Sequence, residues 1–289
     1  MKSFSPSDLT TPELHGIMLG SIGPRPIAFA STVDAEGQPN LSPFSFFNVF
    51  GANPPIMVFS PARRVRNNTT KHTLENCKAT KEVVINIVNY NIVQQASLSS
   101  TEYAAGVNEF EKSGLTAVAS DVVQPFRVAE SPVQYECKIN EIIELGKEGG
   151  AGNLIICEVV KLHVQDDLLD AQLKIDQAKI DLVSRMGGNW YSRAKEGLFE
   201  VEKPLRTLGI GVDEIPTFIK DSRILTGNDL GKLGNVEQLP THEEIQEFIE
   251  EKDLKVFLDE STDEKVHLVA QEYLNEERVN DAWKILLAK

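Results

Sequence analysis

Six basic side chains, Arg63, Arg64, Arg66, Lys71, Lys78 and Lys81, fall in a stretch that holds only two acids, Glu75 and Glu82. The chain as a whole is acidic, with a net charge of −14 over 289 residues. Pro61 ends an apolar run, and Thr73 is placed to cap a helix over residues 74–79. Free backbone N–H groups would then point at the same space as Lys71 and Arg63. A helix N-terminus beside cations binds a phosphate monoester. An ordinary solvated basic loop is the other reading that composition leaves open.

A second group lies upstream. Ser31, Thr32, Asn40, Ser42, Ser45 and Asn48 are hydroxyls and amides set among apolar neighbours on two segments joined by one turn. A hairpin serving only a core would not need them. Pro24 and Pro26 fix the backbone of the entry, and Asp34 to Gly37 supply the turn. Further along, His163 stands late in an apolar run, where a packed histidine and a site histidine are both open readings. Arg185 precedes Gly187 and Gly188, either a site residue or the end of an element before a turn. Phe44, Phe46, Phe47 and Phe50 read as core and interface, and Trp190 and Tyr191 as packing, dimer contacts or a cover for a ligand.

The elements that must position these groups are mostly strands. Short runs rich in Val, Ile and Phe cover residues 27–32, 41–47, 56–60, 83–88, 133–145 and 154–164, the pattern of an all-β barrel with helical insertions. The last two flank Gly146, Gly149, Gly150 and Gly152, which can close a hairpin. Residues 94–112 read as partly helical and as a cap on the barrel. From 206 to 240, glycine and proline punctuate a stretch without periodicity, read as an irregular linker. Beyond it, Thr241 with Glu244 and Ser261 with Glu264 match capping boxes. Apolar residues at helical spacing follow, Val266 to Leu274 and Val279 to Leu287. Residues 241–289 carry 14 acids and 6 bases, so this acidic helical extension is either a solvated appendage or a docking module for a protein partner.

Several classes of function are set aside. A chain this acidic repels nucleic acid phosphates and anionic lipid. Three scattered cysteines, Cys77, Cys137 and Cys157, suit neither a disulfide framework nor a zinc site and read as buried apolar groups in a reducing compartment. No apolar run approaches the roughly 20 residues of a membrane span, and the opening MKSFSPSDLT lacks a signal-peptide core. The expectation is a cytoplasmic protein without a metal centre. Neither glycine cluster opens a helix after a strand, so a dinucleotide-binding fingerprint is absent.

Beside this reading stands a resemblance. Asn53-Pro54-Pro55, Phe59-Ser60-Pro61 and Lys71-His72-Thr73 occur in the order seen in the flavin reductase-like family. They are followed by Glu109-Phe110-Glu111, Ser113-Gly114-Leu115-Thr116, Glu130-Ser131-Pro132, Glu136-Cys137, the strand to His163 and Arg185-Met186-Gly187-Gly188. The chain resembles that family over residues 12–205. The resemblance implies a mainly β (α+β) fold, a six-stranded FMN-binding split β-barrel over residues 1–205, with the linker 206–240 and the extension 241–289 outside the common core. It implies FMN held noncovalently, near the interface of a homodimer. Ser31, Thr32, Asn40, Ser42, Ser45 and Asn48 would line the ribityl chain and ring, and Ser60, Arg63, Lys71 and Thr73 would gather the phosphate. Arg185 joins the cofactor-binding set, and His163 would lie by the flavin or the nicotinamide. His72 stands where the family more often has Asp. The implied activity is hydride transfer from NAD(P)H to the flavin, with no acid or nucleophile demanded of the protein. The alternative is a flavoredoxin-like carrier that passes electrons to a protein without oxidising NAD(P)H.

Overall fold

The computed structural model describes residues 1–104, 106–201, 204 and 208–289. It divides into two compact units, Met1–Phe199 and Glu200–Lys289. The boundary read at 205 lies outside the described residues.

The first unit opens with helix α1 (Thr11–Ser21) and continues through strands β1 (Ala28–Val33), β2 (Pro39–Phe44), β3 (Phe47–Ala52) and β4 (Pro55–Phe59). Then come α2 (His72–Thr80), β5 (Glu82–Ile87), α3 (Val93–Leu98), α4 (Glu109–Ser113), and the short strands β6 (Ala117–Val118) and β7 (Arg127–Val128). The long strands β8 (Val133–Glu144) and β9 (Asn153–Val164), helix α5 (Gln177–Ile180) and the hairpin β10 (Val183–Arg185) and β11 (Tyr191–Arg193) complete it. Seven strands form one sheet in the order β2-β1-β5-β8-β9-β4-β3, with every pairing antiparallel.

The two edge strands, β2 and β3, are separated in sequence only by Ser45 and Phe46. The three Cα steps from Phe44 to Phe47 span at most about 11 Å, far less than the width of a seven-stranded sheet, so the sheet must curl until its edges meet. The result is a barrel whose seam is bridged by the chain itself, without strand pairing between β2 and β3. The run read as one strand over 41–47 breaks at this seam, which adds a seventh strand to the six expected.

Strand β1 is buried along its whole length because both of its faces are covered. Alternation sends Ala28 and Ala30 into the barrel core with Phe44, Met57, Phe59, Leu74 and Ile85. Phe29 goes the other way, into a second core with Leu41, Val88, Ile92, Phe110 and Val128 under α3 and α4. Cys77, Cys137 and Cys157 are free and fully buried in the barrel core. Helix α1 stands apart: none of its residues is buried, and Ile17 and Met18 are exposed.

The second unit is helical, with α6 (Thr217–Lys220), α7 (Gly227–Gly234), α8 (His242–Glu251), α9 (Lys255–Glu260), α10 (Asp263–Asn275) and α11 (Val279–Leu287). The stretch read as an irregular linker therefore contributes two helices, and Ile215, Ile219, Leu225 and Leu233 join the same core as Val266, Ala270, Leu274 and Trp283. Trp283 is fully buried, and its indole Nε1 donates to the Leu233 carbonyl at 3.0 Å. The apolar stripes of α10 and α11 are thus consumed within the unit. Thr241 and Glu244 form their capping box, whereas α10 starts one residue later than read, with Thr262 at the cap and no side-chain capping bond. Ser261 is instead buried, and its carbonyl accepts from Lys289 Nζ. Among the described residues no helix is long and apolar enough to cross a membrane.

Candidate functional site

Helix α2 is nine residues long, and its first turn opens onto a cleft lined by Asn40 and Ser42 of β2, by Arg64, Lys71, His72 and Thr73, by Ser99 to Tyr103, and by Glu109. The N-cap is Lys71, not Thr73, and no side chain caps the helix. The opening amides of an uncapped helix have no internal acceptor and face outward as donors. Thr73, one residue inside, turns its hydroxyl to the barrel wall, where Asn40 Nδ2 donates to Oγ1 at 3.0 Å. Thr32 Oγ1 accepts from Asn76 Nδ2 at 3.1 Å and from Asn40 Nδ2 at 3.4 Å. This buried hydroxyl and amide chain fixes β1, β2 and α2 together. Having accepted a bond, the Thr73 hydroxyl keeps its own proton to donate.

Lys71 is half-buried and makes no ion pair among the described residues. Burial holds its ammonium below the usual lysine range, and the like charge of Arg64 lowers it further. Glu102, on the same cleft wall, pulls the other way without reaching Lys71 as an ion pair. A partly desolvated cation beside open helix amides can hold an anion. Arg64 reaches Glu102 Oε1 at 3.0 Å and Thr69 Oγ1 at 3.1 Å, and also donates to the Thr70 carbonyl. Glu102 takes a second arginine, Arg66, at 2.7 Å. The hydrogen bond from Arg64 holds the Glu102 carboxyl below its ordinary range. Across the cleft, the buried Glu109 accepts the Leu41 amide at 3.1 Å, satisfying a donor on the edge strand β2, while burial raises its carboxyl.

The residues singled out from the sequence separate into groups. Asn40, Ser42, Lys71 and Thr73 meet in the cleft, and Thr32 joins them through Asn40. Ser31 does not: it occupies the opposite face of β1 from Thr32, is fully buried, and its Oγ has no partner. It presents no side-chain atom to a ligand. Ser60 does not line the cleft, and its Oγ accepts the Asn153 amide at 2.9 Å. Arg63 is not among the residues that line the cleft. Its guanidinium bonds Asn68 twice at 2.7 Å and its main chain pairs with Ala151 and Gly150, so it braces a loop. The neighbouring Arg64 lines the cleft in its place.

Ser45 is half-buried at the barrel seam, and Asn48 is exposed on β3, its Oδ1 accepting the Val49 amide at 2.8 Å. Phe44 is in the core, whereas Phe46, Val49 and Phe50 are exposed. Arg185 pairs its main chain with Arg25 and lays its guanidinium over Tyr191, 4.6 Å from the ring centroid. His163 Nε2 lies 2.7 Å from Oε1 of the fully buried Glu136. Asp121 completes a trio whose ligating atoms lie within 4.8 Å of one another. Lys161 pairs with Asp121, Arg127 lies 3.9 Å from Glu136, and the Asp121 and Val122 amides fill the Glu136 oxygens. The trio is a charge network already matched by cations.

The sequence reading left out Arg64 as a site residue, the run Ser99 to Tyr103, and Glu109. The hydroxyl density of Ser97, Ser99, Ser100 and Thr101 was the signal available for that run.

The cleft suits a phosphate monoester: it offers a half-buried lysine in no ion pair among the described residues, the open end of α2, a buried hydroxyl and a rim of serines. Comparison with known proteins bears on the family. A family model, the flavin reductase like domain, matches residues 20–180. An uncharacterised protein of Halalkalibacterium halodurans is 36% identical over 202 residues, 69% of this chain and 95% of the relative. Nitrilotriacetate monooxygenase component B from Bacillus cereus is similar in structure, with a TM-score of 0.66 at 30% identity over 70% of this chain and 98% of that one. The 2-nitrobenzoate 2-nitroreductase of Pseudomonas fluorescens is similar too, with a TM-score of 0.63 at 27% identity over 73% of this chain and all of that one. The barrel of antiparallel strands and these matches converge, and the chain belongs to the flavin reductase like domain family.

Proposed function

We propose that the chain is an FMN-dependent oxidoreductase that takes hydride from NADH or NADPH, with the FMN phosphate held in the cleft at the start of α2. The observation that carries this reading is the half-buried Lys71, in no ion pair among the described residues, beside the uncapped helix end. FMN supplies the two-electron chemistry when bound. The residues of this chain do the holding: Lys71 supplies the charge for the phosphate, Arg64 stands on the same wall already paired with Glu102, Thr73 and the α2 amides donate to the phosphate, and Asn40 keeps Thr73 in place.

A homodimer with the flavin near its interface is part of the proposal. Helix α1 buries none of its residues, and Ile17, Met18, Phe46, Val49 and Phe50 are exposed, an apolar surface that a second copy would cover. Three reduced, buried cysteines support a cytoplasmic protein.

The second reading is an electron carrier that does not oxidise nicotinamide. It is favoured by the helical unit, where 21 acids oppose 11 bases, a charge that would draw a basic redox partner. One experiment separates the two: the visible absorbance of the protein with FMN is followed anaerobically on addition of NADH or NADPH. Bleaching by a nicotinamide supports the reductase. Bleaching by a chemical reductant alone supports the carrier, and failure to bind FMN overturns both.

A further inference from the structure

A cavity of about 180 Å³ lies apart from the phosphate cleft, lined by Tyr90, Val93, Gln94, Ser97, Val183, Tyr191, Ser192 and Arg193. Its walls are built with care. Arg193 forks onto Asp181 at 2.8 and 2.7 Å and stacks on Tyr90, 3.8 Å from the ring centroid. The second wall, Tyr191, is backed in the same way by Arg185. Asp181 and the Tyr90 main chain are joined by the Tyr90 N–H to Asp181 carbonyl bond at 3.0 Å, which ties the segment before α3 to the β10–β11 hairpin. Each ring thus stacks with a guanidinium, Arg193 being itself part of the cavity lining, while remaining 50% and 37% exposed. Two rigid aromatic walls with free area are a stacking platform.

The charge at the site is matched. Asp181 holds Arg193 and also Lys195, 3.2 Å away, and Glu196 faces Arg193 at 3.4 Å. An anion gains little here. Val93 and Val183 supply apolar contact, and Gln94, Ser97 and Ser192 offer a donor and acceptor edge, the amide of Gln94 being able to pair both ways with a purine. In size the cavity slightly exceeds the ~150 Å³ void that accepts benzene, and its open mouth admits a second fused ring.

We propose that this pocket binds a neutral, planar heteroaromatic ring of purine size, the base of an adenine nucleotide. Ser97 belongs to this pocket and Ser99 to the phosphate cleft, so the end of α3 separates the two. The inference extends the flavin reading, giving a dinucleotide a place for its base away from the flavin phosphate site.

The test is calorimetric titration of the full-length, FMN-loaded protein with adenosine. Saturable binding at one site without loss of bound FMN is expected. Tyr191→Leu should weaken it about tenfold, the scale of one stacked base. Ser97→Trp, which fills the mouth from an exposed helical position, should abolish it while FMN binding and the thermal melt stay unchanged. Absence of saturable adenosine binding to the FMN-loaded protein overturns the inference alone. So do displacement of FMN by adenosine, equal binding by the Ser97→Trp variant, or tighter binding of benzoate than of adenosine. Loss of FMN affinity in the native protein would instead count against the flavin reading.

Discussion

Asn40 Nδ2 donates to Thr73 Oγ1 at 3.0 Å, joining the edge strand β2 to the first turn of α2 across 33 residues of sequence. Thr73→Val keeps the shape and removes the acceptor, leaving the Asn40 amide with only the 3.4 Å contact to Thr32. A buried amide losing its partner costs about 1–3 kcal/mol. The melting temperature should fall by several degrees, and FMN affinity should drop because a phosphate donor is lost. A variant that matched the parent in both would show that the bond positions nothing.

Lys71 and Arg63 separate a site cation from a bracing one. Lys71→Ala should weaken FMN about 10- to 100-fold, the range of a charge-assisted bond, and leave riboflavin nearly unaffected. Arg63→Ala should change FMN binding little, because its guanidinium is spent on Asn68. Flavin fluorescence quenching reads both. Burial lowers the Lys71 ammonium, so FMN affinity should fall on the alkaline side at a pH below the ordinary lysine value of about 10.4, with riboflavin flat across it. Equal losses for the two flavins would move the phosphate elsewhere.

Glu136 sets an acid limit on the first unit. Burial raises its carboxyl, but the amides of Asp121 and Val122 and the ring of His163 outweigh that and leave it below the ordinary range. A carboxyl lowered on folding contributes stability above its unfolded value of about 4.3, and that contribution fades as pH falls through the folded value. Urea unfolding between pH 7 and pH 3 should show this loss. Glu136→Gln should be less stable at pH 7, by about 2–4 kcal/mol, with a shallower fall in acid. An unchanged pH slope in the variant would assign the acid sensitivity to other carboxyls.

The helical unit rests on Trp283. Replacement by Ala should cost about 3–5 kcal/mol in that unit, from the cavity left among Leu233, Ala270 and Leu274 and from the orphaned Leu233 carbonyl. Far-ultraviolet circular dichroism on heating would show early loss of helix, and a melt like the parent's would mean that the core closes over the gap.

Much of the barrel can be read from the sequence because its strands are apolar runs with clear ends: residues 27–32 were read and Ala28–Val33 is found. The site is legible as residue types and less so as an arrangement. Ser31 and Thr32 are neighbours in sequence and lie on opposite faces of one strand, which only the placement of the core decides. Arg63 and Arg64 are equivalent in composition, but pairing with Ala151 and Gly150, nearly ninety residues on, turns one to the loop and the other to the cleft. The Ser99–Tyr103 rim carries no periodicity, so nothing local ties it to α2. Helices α6 and α7 show no periodicity in the sequence because they are four and eight residues long, and α7 begins and ends on glycine, Gly227 and Gly234, the second packed tightly against the Gly211 main chain.

The seam between β2 and β3 gives the barrel a preferred direction of breathing. Separating those two edges ruptures no ladder bond, because Ser45 and Phe46 bridge them covalently and no strand pairing spans the gap. Elsewhere, widening the barrel would break rows of main-chain bonds together. In a monomer, amide exchange should therefore be quickest along the free edge of β3, where Asn48, Val49 and Phe50 are exposed, and slowest along the paired middle of β1 and β5, with β3 protected where a second copy covers it. Opening at this seam is sideways and cheap, which leaves the hydroxyl and amide chain around α2 undisturbed while the wall beside it moves.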